Sequence, residues 1–161
     1  MSAARTLLGT ALALALAGPA CAQGKPFPAT VLTDGAEVRC KPGTQPAVYV
    51  TQRLPRGATV VVVEKLPDGW LKIDPPDGSF SWVNTGFLRQ AGGTGNVWVV
   101  TETDKPVTAL VGAWGRKERP DVVSTTLARG AQLIAVGAPI QESDGYWLPV
   151  MAPAGEYRYV R

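Results

Sequence analysis

Asp74, Asp77, Glu102, Asp104, Glu142 and Asp144 are the side chains best equipped to do chemistry in this sequence. Two carboxylates facing each other across a sugar suffice for glycoside hydrolysis, which depends on their geometry and not on a motif. The setting of these six argues against that role. Asp77 and Asp144, like Asp68, stand directly before glycine, the chemistry of a tight turn. The others fall at expected strand ends or turns, and no spacing pairs two of them. No D-x-D-x-D-G run offers a calcium loop. Ser79 and Ser81 have no base beside them in any motif. Histidine is absent from all 161 residues, which removes Ser-His-Asp triads, Cys/His dyads and His-built zinc sites. The sequence therefore predicts a non-enzymatic protein with no catalytic residue, metal or cofactor. A carboxylate-based hydrolase is the remotest alternative.

What remains is binding chemistry carried by rings. The chain has 5 Trp, 4 Tyr and 3 Phe. In an extended segment successive side chains take opposite faces. In 70–73, Leu71 and Ile73 share an expected core face, so Trp70 and Lys72 point the other way. In 80–83, Val83 faces the core, so Phe80 and Trp82 share the opposite face. The second half repeats this: Leu148 and Val150 point inward, Trp147 outward, and Tyr157 and Tyr159 oppose Val160. This predicts an aromatic face in each half, suited to stacking on sugar rings or packing on a peptide, because rings combine large area with little entropy to lose. Tyr49, Arg39 and Arg53 are expected to add contacts beside Trp82. The competing reading is structural: small domains have little interior, and such rings often finish a thin core or pack between modules. Interface packing is the plainer expectation for Trp98 and Trp114.

The elements that must hold these rings read as short strands. Glycine (18) and proline (14) recur throughout the chain, between Val-rich runs. That pattern argues an all-β fold. Strands are expected at 37–40, 58–64, 70–73, 80–83, 97–101, 110–113, 132–136, 147–150 and 157–160. Turns are expected at Asp68-Gly69, Asp77-Gly78 and Asp144-Gly145. Residues 90–96, with three glycines in Gln-Ala-Gly-Gly-Thr-Gly-Asn, read as a linker. The halves on either side repeat one another. Leu54-Pro55-Arg56-Gly57-Ala58 matches Leu127-Ala128-Arg129-Gly130-Ala131. Asp68-Gly69-Trp70-Leu71 matches Asp144-Gly145-Tyr146-Trp147-Leu148, and Pro76–Val83 matches Pro153–Val160.

The first half resembles bacterial SH3 (SH3b) domains. Val38-Arg39-Cys40-Lys41-Pro42-Gly43 is similar to the family's opening strand and loop. Leu54–Val62 is similar to its turn into the longest strand, and Asp68-Gly69-Trp70-Leu71-Lys72-Ile73 to its Gly-Trp strand. Ser81-Trp82-Val83 with Phe87-Leu88 is similar to the closing strand and terminal turn. The second half lacks the Val-Arg opening and has Tyr159 where the closing Trp would stand. The resemblance implies two tandem small SH3-like β-barrels, at 29–89 and, more divergent, 97–161. It also implies binding of a peptide, peptidoglycan or an envelope protein. The alternative is an adaptor whose rings pack an inter-module interface. Such modules usually accompany a catalytic domain, such as a Cys/His peptidase, and a chain without histidine is not expected to carry one.

Residues 1–22 read as a signal peptide. Arg5 precedes the apolar run 7–16, Gly18-Pro19 ends it, and Ala20-Cys21-Ala22 offers cleavage between Ala22 and Gln23. The run is too short to span a bilayer. Gly18, where a lipobox carries a large aliphatic residue, disfavours a lipid anchor at Cys21. A bacterial protein exported to the periplasm or beyond is expected. Cys40 is then a lone thiol, expected to be a small buried apolar residue. The charge of +3, which falls to +2 without Arg5, is spread along the chain, so no nucleic-acid footprint is expected. Arg116-Lys117-Glu118-Arg119 reads as a solvated loop tip.

Overall fold

The computed structural model describes residues 25–93, 95–101, 104–116 and 119–161. The expected signal peptide, with Cys21 and the Ala22–Gln23 cleavage point, lies outside the described residues, as do Glu102, Lys117 and Glu118. The fold is all-β, as the turn-rich sequence predicts. Its strands are β1 (Phe27–Thr30), β2 (Ala36–Arg39), β3 (Val50–Leu54), β4 (Thr59–Lys65), β5 (Leu71–Ile73), β6 (Phe80–Asn84) and β7 (Leu88–Gln90) in the first half. The second half holds β8 (Val97–Val100), β9 (Val107–Val111), β10 (Val123–Leu127), β11 (Gln132–Ile134), β12 (Ile140–Glu142), β13 (Gly145–Met151) and β14 (Arg158–Val160). Among the described residues, no helix is long and apolar enough to cross a membrane.

Local chemistry explains most elements. The β-branched run of β4 buries Val60 and Val62 and leaves Val61 on the outer face, the period of a half-covered strand. Pro28 cannot donate to a ladder, and β1 accordingly lies at a sheet edge. The Asp77-Gly78 turn forms, with Ser79 N–H donating to the Pro76 carbonyl at 3.0 Å and Gly78 at φ 81°, a value glycine adopts freely. Ser143-Asp144 turns the β12–β13 hairpin, in which Glu142 faces Gly145. Residues 90–96 join β7 to β8, which pair as an antiparallel hairpin from Leu88↔Val100 to Gln90↔Trp98. The segment expected as a linker thus ties the halves together in one three-stranded sheet, β11-β8-β7.

The sheets do not follow the halves of the chain. The six-stranded sheet has the order β1-β4-β5-β14-β2-β3, and the five-stranded sheet β10-β9-β6-β13-β12. Strand β14, from the second half, sits between β5 and β2 through Arg158↔Ile73, Tyr159↔Lys72, Val160↔Leu71 and Tyr159↔Arg39. Reciprocally, β6 from the first half sits between β13 and β9, through Phe80↔Met151 to Asn84↔Trp147 and through Ser81↔Val111. A bridge from Ala135 to Val150 continues β13 toward β11 and β8. The second half therefore repeats the strand order of the first, with the closing strands exchanged. None of the sheets is closed.

The cores record this exchange. Val160 is buried with Val31, Val38, Val62 and Ile73 of the first half. Val83 is buried with Val107, Leu148 and Val150 of the second. A third cluster joins Cys40 and Tyr49 to Val111 and Ala113. Cys40 is buried, as expected.

A polar cluster lies where the exchanged strands meet. Glu156 and Arg158 are 1% and 0% exposed. Ser81 on β6 donates its hydroxyl to the Glu156 carboxylate (2.7 and 2.6 Å), and Ser124 on β10 donates at 2.7 Å. Arg158 Nη1 pairs with the same carboxylate, and Nη2 donates to the Phe80 carbonyl at 3.1 Å. Charges this deep persist only when paired and hydrogen-bonded. Here the pairing spans both exchanged strands.

Candidate ligand-binding groove

The faces of β6 alternate as period two requires. Ser81 and Val83 are fully buried beneath the sheet, and Phe80 and Trp82 share the other side. There Phe80 meets Trp82 edge-on (5.3 Å, 82°) and Trp114 at a tilt (4.4 Å, 51°). Trp114 follows β9 and is fixed at both ends: its indole N–H donates to the Gly78 carbonyl at 2.8 Å, and its amide to the Thr51 carbonyl at 3.2 Å. The residue is nonetheless 60% exposed. With Pro149, Val136 and Arg116, the three rings line a cavity of about 250 Å³. Pro149 faces Trp82 across the β6–β13 ladder.

Gly112 makes the cluster possible. Its amide donates to the Phe80 carbonyl at 2.9 Å. A Cβ there would lie 2.5 Å from two Phe80 ring atoms and 2.6 Å from that carbonyl oxygen. The oxygen is backbone and cannot swing aside. Gly112→Ala is therefore expected to cost about 1–3 kcal/mol as an overpacked site and to weaken the near-ultraviolet circular dichroism of the ring cluster. Paired urea titration and dichroism of wild type and variant check both, and an unchanged spectrum would contradict the geometry.

A second cavity, of about 510 Å³, is lined by Lys41, Pro46, Tyr49, Pro120, Asp121 and Val122 among others, and shares Arg116 with the first. The Arg116 guanidinium lies 4.9 Å from the Tyr49 ring centroid, a cation–π stack. The Tyr49 hydroxyl donates to the Val111 carbonyl at 2.8 Å. Burial pushes its phenol well above the ordinary tyrosine range, so it remains a donor.

The structure brings together only some of the residues expected from sequence. Trp82 and Phe80 meet in the first cavity, and Tyr49 borders the second. Burial favours the packing alternative for several of these rings: Trp70, Phe80 and Trp147 are buried, as is Tyr49. Alternation within a strand says nothing of what lies on its outer side. Trp147 is enclosed by its own neighbours. Its indole N–H donates to Asp144 at 2.8 Å, and the Arg119 guanidinium sits 3.8 Å over its ring and pairs with Asp144 at 2.8 Å. The indole bond first, and then Arg119, hold the Asp144 carboxyl below its ordinary pKa. Tyr157 lies under Lys72, whose Nζ is 4.2 Å from the ring centroid, and Tyr159 is a half-buried member of the β5–β14–β2 ladder. Arg39 does not line the cavity beside Trp82. Its guanidinium binds Glu37 at 2.5 Å and the Val48 carbonyl at 3.1 Å, and Arg53 also binds Glu37. These two arginines, Arg39 first, lower the Glu37 pKa.

Asp74 and Asp77 border a separate cavity of about 280 Å³ together with Glu156, whose oxygens are taken by Ser81, Ser124 and Arg158. Among the described residues, no group of three His, Cys, Asp or Glu side chains is placed to hold a metal ion.

Sequence reasoning assigned Trp114 to interface packing and Arg116 to a solvated loop tip, and it missed Gly112 and Pro149. The one signal available was the run Gly112-Ala113-Trp114-Gly115, where a large ring stands among residues too small to cover it. No family model, curated protein or solved structure matches the chain.

Proposed function

We propose that this chain is an exported, non-enzymatic binding protein built from two SH3b-like modules, and that it takes an extended ligand on the Phe80–Trp82–Trp114 cavity. The observation that carries the reading is Trp114. It is a large ring, anchored through its indole nitrogen and left mostly open to solvent beside two further rings and a proline. Rigid aromatics around a shallow depression supply contact area at low entropic cost, the common makeup of a binding hot spot. A peptide or a cell-wall fragment suits such a surface. The buried rings Trp70 and Trp147 serve the fold.

Trp114→Ala is expected to leave the melting temperature within a few degrees of wild type, because little of the ring is buried, and to weaken ligand binding by about tenfold or more. The check is retention of residues 23–161 and of the variant on purified peptidoglycan sacculi and on immobilised peptides. If both proteins bind equally well, the groove is not the site.

A further inference from the structure

We infer that the groove's ligand is an acidic protein segment bound in extended form, with an apolar side chain among Phe80, Trp82 and Trp114 and a carboxylate between Arg116 and Lys41. The inference rests on the binding role proposed above and names its ligand chemistry.

Three observations converge on it. First, Arg116 lines both cavities. One is walled by rings and Pro149, the other carries Lys41 and Arg116, so a single ligand crossing both meets an apolar site and then a cationic one. Second, these two cations carry no carboxylate partner among the described residues. Arg39, Arg53, Lys72, Arg119 and Arg158 each pair with a carboxylate, whereas among the described residues neither Arg116 nor Lys41 has a carboxylate within ion-pair distance. Asp121 lines the same cavity and is the one opposing charge. Arg116 is stacked on Tyr49, which holds its planar fork in place for a carboxylate at little entropic cost. Third, β10 begins at Val123, a lining residue of the second cavity that is itself exposed, and is the terminal strand of the five-stranded sheet. A strand at a sheet edge can pair with an extended chain. One apolar pocket and one cationic pocket on either side of Arg116 suit a segment that carries an apolar and an acidic side chain.

The test is fluorescence anisotropy of the full chain with three rhodamine-labelled short peptides that differ only in their charged positions. One alternates leucine or proline with glutamate, one carries glutamine in place of glutamate, and one carries lysine. Purified sacculi serve as a fourth probe. The glutamate peptide is expected to bind about tenfold more tightly than the glutamine peptide, and the lysine peptide not at all. Raising salt from about 0.05 to 0.5 M should erase most of the difference, since exposed pairs are screened. Arg116→Gln and Lys41→Glu, with dichroism confirming their fold, should each abolish the preference for glutamate, and Trp114→Ala should weaken all binding. If the glutamine peptide binds as well as the glutamate peptide, and Trp114→Ala still weakens both, the groove stands as the site and the acidic ligand is overturned. Retention on sacculi through Trp114 with no peptide bound overturns the protein segment in favour of the cell wall. If Trp114→Ala changes nothing with any probe, the binding role itself fails.

Discussion

A chain ended after Tyr157 is expected to lose native structure in both sheets, and not only near the cut. Strand β14 lies between β5 and β2, so its removal leaves two inner ladders unpaired. It takes Val160 out of the first core, where a buried valine contributes about 1.5–3 kcal/mol. It also removes Arg158 and leaves Glu156 and Ser81 buried without their cation. Stranding one member of a buried pair costs about 3–5 kcal/mol. Domains are stable by only about 5–15 kcal/mol in total, so these losses are enough to unfold the molecule. Hydrogen exchange at Val62 and Ile73 reports on the first sheet, and at Val83 and Leu148 on the second. Protection should vanish at all four positions together. Retained protection at Val83 and Leu148 would mean that the sheets fold independently and that the exchange carries little energy.

Glu156→Ala should destabilise the full chain by about 3–5 kcal/mol, because it leaves the Arg158 guanidinium fully buried with no counter-charge. Its Nη1 and Nη2 keep only the Tyr157 and Phe80 carbonyls, and its Nε has no partner even in the native cluster. Two carriers of charge removed together behave differently. Glu156→Leu combined with Arg158→Met is expected to recover most of the loss, since apolar replacement of a buried pair is often neutral or stabilising. Guanidinium titrations of the single and double variants give the coupling directly. Equal losses in the single and double variants would show that the cluster is not acting as an ion pair.

The sequence revealed more of the elements than of their assembly. Strands dense in β-branched residues, such as β4, and turns marked by Asp-Gly were legible because their cause is local. Strands β3 (Val-Thr-Gln-Arg-Leu) and β10 (Val-Ser-Thr-Thr-Leu) were not, because their polar side chains give no apolar run. The exchange of β6 and β14 left no local trace. Phe80–Asn84 has the same alternation whichever half it completes, and the choice lies in contacts such as Arg158 to the Phe80 carbonyl, between residues 78 apart. The candidate site was half legible for the same reason. Trp82 and Phe80 were found by alternation within their own strand. Trp114 reaches them from the segment after β9, and only the placement of β6 beside β9 brings the two together.

The exchanged strands also set an order in time. Synthesis runs from the N-terminus, and domains ordinarily fold as they emerge. Here the first sheet has its central position vacant until residues 158–160 leave the ribosome, long after β5 has been made. Strand β6, already made, has no sheet to join until β9 and β13 follow. The first sheet is therefore completed only after the second half of the chain has been made.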